Sequence, residues 1–185
     1  VTSNCDPINT ININQSTGIQ FVPDIAFGGG NYMVVWTDGR AGGNAFRTYA
    51  ARVTPAGSVL DPSGIQVGPS DSSYQFSPSI AYNGTNFFTI WGYYYSPYRI
   101  LGRFINTNGT VSDTFRIASM SYNSYKTRLA YSGSNYLVAW IAYSGSSYDL
   151  MGRLVSTAGI PVGSPFMIAA NVYYYSLGLC FDGTQ

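Results

Sequence analysis

Residues 23–36, PDIAFGGGNYMVVW, return at 78–91 as PSIAYNGTNFFTIW and at 127–140 as TRLAYSGSNYLVAW. A further start, SLGLCFDGTQ, occupies residues 176–185. The period is about 50 residues, the size of one four-stranded unit in propeller-type arrays. Each copy reads as two strands around a tight turn. The first is a short run such as Ile25-Ala26-Phe27, Ile80-Ala81-Tyr82 or Leu129-Ala130-Tyr131. The turn follows as Asn83-Gly84 or Ser132-Gly133, where glycine supplies the positive φ that a hairpin needs. The second strand ends in Trp36, Trp91 or Trp140.

That second strand decides the architecture. A sheet with one wet face alternates apolar and polar residues. Here Met33-Val34-Val35 and Leu137-Val138-Ala139 are apolar throughout, and only Thr89 interrupts the middle copy. Both faces therefore need cover, as they have in radially arranged blades. A three-fold trefoil also yields three units of this length, but its strands should alternate more cleanly, so the pattern favours blades. The expected fold is all-β, with four-stranded antiparallel units arranged as propeller-like blades.

A third strand is expected around Arg52, Arg103 and Arg153, which recur between Gly or Ala and an apolar residue. A turn ending in Gly57, Gly109 or Gly159 leads to a looser fourth strand. The recurrent arginine reads as structural, packed on an aromatic ring or forked to Asp61 or Asp113. An anion ligand in each blade is the alternative. Cys5-Asp6-Pro7 aligns with Leu60-Asp61-Pro62. The chain accordingly divides into 1–18 (last strand of a preceding unit), 19–69, 70–118, 119–170, and 171–185 (first strand of a further unit). Three whole units and two loose strands do not close a ring. Either the chain is a piece of a longer array, or its open edges pair with neighbouring copies.

These turn glycines and core aromatics resemble the tandem repeats of secreted prokaryotic β-propeller-like proteins, whose blades read GTNYLVVW…R…G. The resemblance covers nearly the whole chain and implies a fold and an extracellular or cell-surface setting. It carries over no catalytic residue.

The composition excludes much chemistry. There are eight Asp but no Glu, eight Arg, one Lys and no His, with a net charge of +1. Ser-His-Asp, Cys-His and His-bearing zinc sites are ruled out for these residues, and a carboxylate pair for glycoside hydrolysis would have to be Asp-Asp. The aspartates fall mainly at turn positions. Neither a basic footprint for nucleic acid nor an apolar run for membrane insertion is present. No cofactor or metal is expected. Cys5 and Cys180 either join in one disulfide or stay as thiols, with Cys180 then a small buried group in the slot of Ala26, Ala81 and Ala130.

What stands out is tyrosine in the inter-strand connections: Tyr93, Tyr94, Tyr95, Tyr98, Tyr143 and Tyr148 in one set, and Tyr122, Tyr125, Tyr173, Tyr174 and Tyr175 in the other. Tyrosine among Ser, Gly and Asn makes rigid, amphipathic recognition surface. The alternative is that these rings merely cap the sheet ends. Asn14, Asn83 and Asn108 begin N-glycosylation sequons. The resulting expectation is a non-enzymatic extracellular structural protein that associates with copies of itself or other surface proteins, as a fibre or surface-layer subunit. The alternative is a lectin-like module that binds glycans through the tyrosine-rich loops.

Overall fold

The computed structural model describes residues 10–43, 45–120, 124–173 and 175–183; for 124 and 125 it describes the backbone alone. It contains three four-stranded antiparallel sheets, each a meander in chain order. Blade 1 holds β1 (Gln20–Gly28), β2 (Asn31–Asp38), β3 (Arg47–Val53) and β4 (Ile65–Gln66). Blade 2 holds β5 (Tyr74–Tyr82), β6 (Phe87–Tyr94), β7 (Tyr98–Ile105) and β8 (Phe115–Met120). Blade 3 holds β9 (Ser124–Tyr131), β10 (Asn135–Tyr143), β11 (Tyr148–Ser156) and β12 (Pro161–Ala169). The first strands β1, β5 and β9 pack side by side along the inner edge, and the fourth strands lie outermost. The trefoil alternative falls away, because each sheet is a separate layer stacked face to face on the next.

The cores lie between blades, which is why the central strands are apolar on both faces. Met33, Val35 and Ala50 of blade 1 meet Phe87, Trp91, Leu101 and Ile105 of blade 2. The opposite face of blade 2, with Phe88, Ile90, Ile100 and Ile117, meets Tyr136, Val138, Trp140 and Val155 of blade 3. All three tryptophans point toward the preceding blade. Trp36 has no sheet there among the described residues; with Val34, Tyr49 and Val53 it packs against Ile13 instead. Residues 10–16 cross this face as a fourth strand would. A Cβ on Gly57, Gly109 or Gly159 would strike Ile11, Ile65 or Phe115 respectively, so Ile11 stands on blade 1 as Ile65 stands on blade 2.

The outer face of blade 3 is different. Leu154, Val162, Phe166 and Ile168 are exposed, whereas Ile117 and Ala118 on the corresponding strand of blade 2 are buried. Residues 175–183 form no strand. Leu179, Cys180 and Phe181 line one side of a cavity of about 440 Å³ against Leu137 and Leu154. Cys180 is exposed, which corrects the buried-thiol expectation; Cys5, its proposed disulfide partner, lies outside the described residues.

Each inner strand slips register once: between Phe21 and Asp24, between Phe76 and Ser79, and on β9 where Ala139 pairs with Arg128 but Ile141 with Tyr125. Val22, Ser77 and Lys126 at these steps have φ of 53°, 48° and 52°. Left-handed backbone is unusual for any L-residue and an outlier for β-branched valine. Such bulges bend a strand and increase its twist. Side chains then tie blade to blade along the inner edge. Asp24 Oδ2 accepts from Ser79 Oγ (2.7 Å) and Ile80 N (3.1 Å), while Ser79 Oγ accepts from Leu129 N (3.2 Å).

The recurrent arginine needs a correction of register. Trp36, Trp91 and Trp140 pair with Tyr49, Leu101 and Met151, so Arg103 and Arg153 correspond to Ala51 and not to Arg52. A one-residue offset puts Arg52 on the other face of its sheet. There it forks onto Asp61 at 2.8 and 2.9 Å. Arg103 and Arg153 instead reach back to the preceding blade and donate to the carbonyls of Val67 (2.7 Å) and Ile117 (2.5 Å). Arg153 also donates twice to Gly163 O. The bonds to Val67 and Ile117 tie each of these blades to the one before it. Arg153→Ala should cost about 1–2 kcal/mol by urea unfolding, with amide exchange accelerated chiefly in β8 and β11; unchanged exchange there would refute the tie.

Candidate functional site: the tyrosine-lined end

Meander topology sends the first-to-second and third-to-fourth turns to one end of every blade. The second-to-third hairpins and the connections between blades go to the other. The nine described tyrosines among the eleven singled out from the sequence all belong to this second end. Tyr122 and Tyr174 lie outside the described residues, as does the side chain of Tyr125.

The others divide by exposure. Tyr95 is 61 % exposed, Tyr173 83 % and Tyr175 72 %, while Tyr94 is 45 % exposed. Tyr98, Tyr143 and Tyr148 are half-buried. Tyr94 and Tyr98 face each other across the blade 2 hairpin with ring centroids 4.7 Å apart, and Tyr143 and Tyr148 do so on blade 3 at 5.0 Å. Tyr173 and Tyr175 stack at 6.4 Å with planes 16° apart. Their loop is fixed to blade 3 by Val172 N donating to Tyr148 O and Asn171 N to Asp149 Oδ1.

Tyr93 does not belong to the surface. It is buried in the core between blades 1 and 2, and its hydroxyl donates to Asp71 Oδ2. Burial and that hydrogen bond both push its phenol above the ordinary range. Asp71 Oδ1 accepts from the backbone N and hydroxyl of Ser73. Burial pushes the Asp71 carboxyl up, but the hydrogen bonds from Ser73 and Tyr93 outweigh it, and the group titrates below its usual range. In the sequence Asp71 is one of the turn aspartates and stands between Ser70 and Ser72. Its Asp-x-Ser spacing is an Asx-turn signature and was the available signal. Arg99, whose guanidinium lies 5.8 Å from the Tyr93 ring, was missed as well.

Asp24, Asp38, Asp61, Asp71 and Asp149 each accept hydrogen bonds from protein donors. Asp24 is the only one on the described inner strands, and its Oδ1 accepts from Ile25 N. Asp38 is sealed beneath Arg40 and Trp36, and Asp61 is held by Arg52. Among the described residues no group of acidic, Cys or His side chains is arranged to hold a metal. The sequons differ too. Asn14 spends its amide nitrogen on Ser16 Oγ (2.7 Å) and Asp38 Oδ2 (3.2 Å). Asn83 is half-buried, its Oδ1 accepting from Thr85 N and Asn86 N. Asn108 is exposed, its Oδ1 accepting from Thr110 N and Oγ1. Asn83 and Asn108 lie at the end opposite the tyrosines.

Stacked four-stranded meanders with first strands innermost match solved enzymes. The chain is similar to an endo-arabinase from Bacteroides thetaiotaomicron, with TM-score 0.56 and 13 % identity over 79 % of this chain and 61 % of that one. An arabinanase from Bacillus subtilis gives 0.53 and 15 %, covering 82 % and 60 %. An α-L-arabinofuranosidase from Lactobacillus brevis gives 0.55 and 8 %, covering 79 % and 55 %. These are propeller blades. The chain spans about three-fifths of the length of these enzymes. No protein-family model and no curated protein matches the sequence.

The expectation of a non-enzymatic, self-associating scaffold is corrected by this comparison, since the solved structures that share the fold include an endo-arabinase, an arabinanase and an α-L-arabinofuranosidase. Lack of His and Glu still leaves Asp carboxylates for glycoside chemistry, as the sequence allows. The face of blade 1 away from blade 2 packs against Ile13, within the stretch 1–18 read as the last strand of a preceding unit.

Proposed function

We propose that the chain supplies three blades of an extracellular carbohydrate-processing propeller, with an arabinose-containing polysaccharide contacting the tyrosine-lined end. The observation that carries this reading is the conjunction of two features. One is the likeness to arabinanases. The other is a cluster of exposed tyrosines at one end of the blades, among them Tyr94, Tyr95, Tyr173 and Tyr175. A tyrosine offers a flat apolar face to the C–H side of a sugar ring and a hydroxyl to its rim, and little entropy is lost on contact. On the described inner strands, Asp24 is the carboxylate brought to the inner edge.

Isothermal titration with arabino-oligosaccharides should give saturable binding, and Tyr95→Ala should weaken it about tenfold, the equivalent of ~1.4 kcal/mol. Release of reducing ends from arabinan by the protein, reduced in Asp24→Asn, tests processing. Absence of binding to any saccharide would remove the proposal.

A further inference from the structure

We infer that the tyrosine-lined end is a repeated binding surface, with one aromatic pair on the tip of blade 2 and an equivalent pair on blade 3, and that its ligand is a linear polysaccharide long enough to engage both. This rests on the carbohydrate reading and adds the class of ligand to it.

The equivalence of the pairs follows from strand register. Tyr94 and Tyr143 lie three residues beyond Trp91 and Trp140. Tyr98 and Tyr148 lie three residues before Leu101 and Met151, the cross-strand partners of those tryptophans. The ring pairs agree in geometry as well, at 4.7 Å with 55° between planes and 5.0 Å with 43°. Blade 1 lacks the feature. Its corresponding residues are Gly39 and Phe46, and the Phe46 ring turns inward onto Phe21 (5.3 Å) and Tyr74 (4.8 Å).

Both pairs stand on strands that continue into the core shared by blades 2 and 3, so their relative position is fixed by packing. The blade 3 ring is further pinned, Tyr143 Oη donating to Gly145 O at 2.7 Å. A preorganised surface loses little on binding. Two equal, weak, rigidly spaced sites suit a ligand that repeats along its length. A short saccharide fills one pair; a long one fills the second at the effective concentration set by the first.

Affinity should be measured against arabino-oligosaccharides of increasing length, from a trisaccharide to the polymer. The expected result is a step of about 100-fold once the ligand spans both tips. Tyr94→Ala and Tyr148→Ala, each with unchanged thermal stability, should each abolish the step, so that affinity for the polymer falls to that of a ligand held by a single pair. Tyr94→Phe should keep the step, because the ring carries it. A smooth rise with length, or a step surviving in Tyr94→Ala, would overturn the repeated site while carbohydrate binding itself stood. Binding of no saccharide, or of a protein partner through these tyrosines alone, would overturn both.

Discussion

Replacing Trp91 by alanine is expected to lower the unfolding free energy by about 3–5 kcal/mol, measured by urea denaturation. The side chain is wholly buried at the junction of blades 1 and 2, among Met33, Val35, Phe87 and Leu101. Nothing nearby is free to collapse into the space, because its neighbours are anchored in two different sheets. Trp140→Ala should cost as much, since Trp140 occupies the same place between blades 2 and 3. Trp36→Ala removes packing against the single segment 10–16, not a sheet, and a hydrogen bond to Asp38. A sharper version uses phenylalanine. Trp91 Nε1 is buried with no hydrogen-bond partner among the described residues. Trp91→Phe therefore sheds an unsatisfied donor along with some volume and should cost clearly less than Trp91→Ala. Equal losses would mean that the cavity is not what matters.

Asp38→Ala is expected to be comparably severe, about 3–5 kcal/mol, because it strands buried donors. The carboxylate is fully buried and accepts from Trp36 Nε1 (2.8 Å), Arg40 N (2.8 Å), Arg40 Nε (2.9 Å), Arg40 Nη2 (2.8 Å) and Asn14 Nδ2 (3.2 Å). Arg40 in turn stacks 4.0 Å over the Tyr49 ring and donates to Ser63 O. Burial alone would raise the Asp38 pKa, but the hydrogen bonds from Arg40 and Trp36, with the Arg40 charge, outweigh it and hold the group below the ordinary 3.8. Asp61 behaves likewise: burial raises it, and the Arg52 hydrogen bonds and charge lower it further. A carboxyl depressed in the folded state contributes stability that is present above its unfolded pKa and is lost as pH falls through its folded value. Unfolding free energy should thus hold from neutrality down to about pH 4 and fall below it. In Asp38→Asn that acid slope should be shallower. An unchanged slope would remove Asp38 from the account.

The fold was readable because its two strongest signals are periodic. Turn glycines and Trp-ended strands recur about every 50 residues, and strands apolar on both faces demand neighbours on both sides. The fourth strand was harder to bound, since in blade 1 regular pairing shrinks to Ile65–Gln66. Arginine register was misread because the blade 1 hairpin differs in length, and sequence spacing does not say which face of a strand a residue occupies. The tyrosine-rich end was legible as a set, because meander topology gathers those connections together. Which rings are surface was not: Tyr93 and Tyr94 are adjacent in sequence and point to opposite sides, one into the core and one outward. The cross-blade bonds of Asp24 and Ser79 span 55 residues, and no local pattern announces them.

The left-handed step at Val22, Ser77 and Lys126 bears on how such an array grows. Three residues with unlike side chains share one backbone distortion, so the distortion belongs to the layout of the unit and not to the chemistry of any one side chain. Each unit thereby carries its own contribution to the fan's curvature. A duplicated segment brings its bend with it, and an extra wedge can be inserted without rewriting the others.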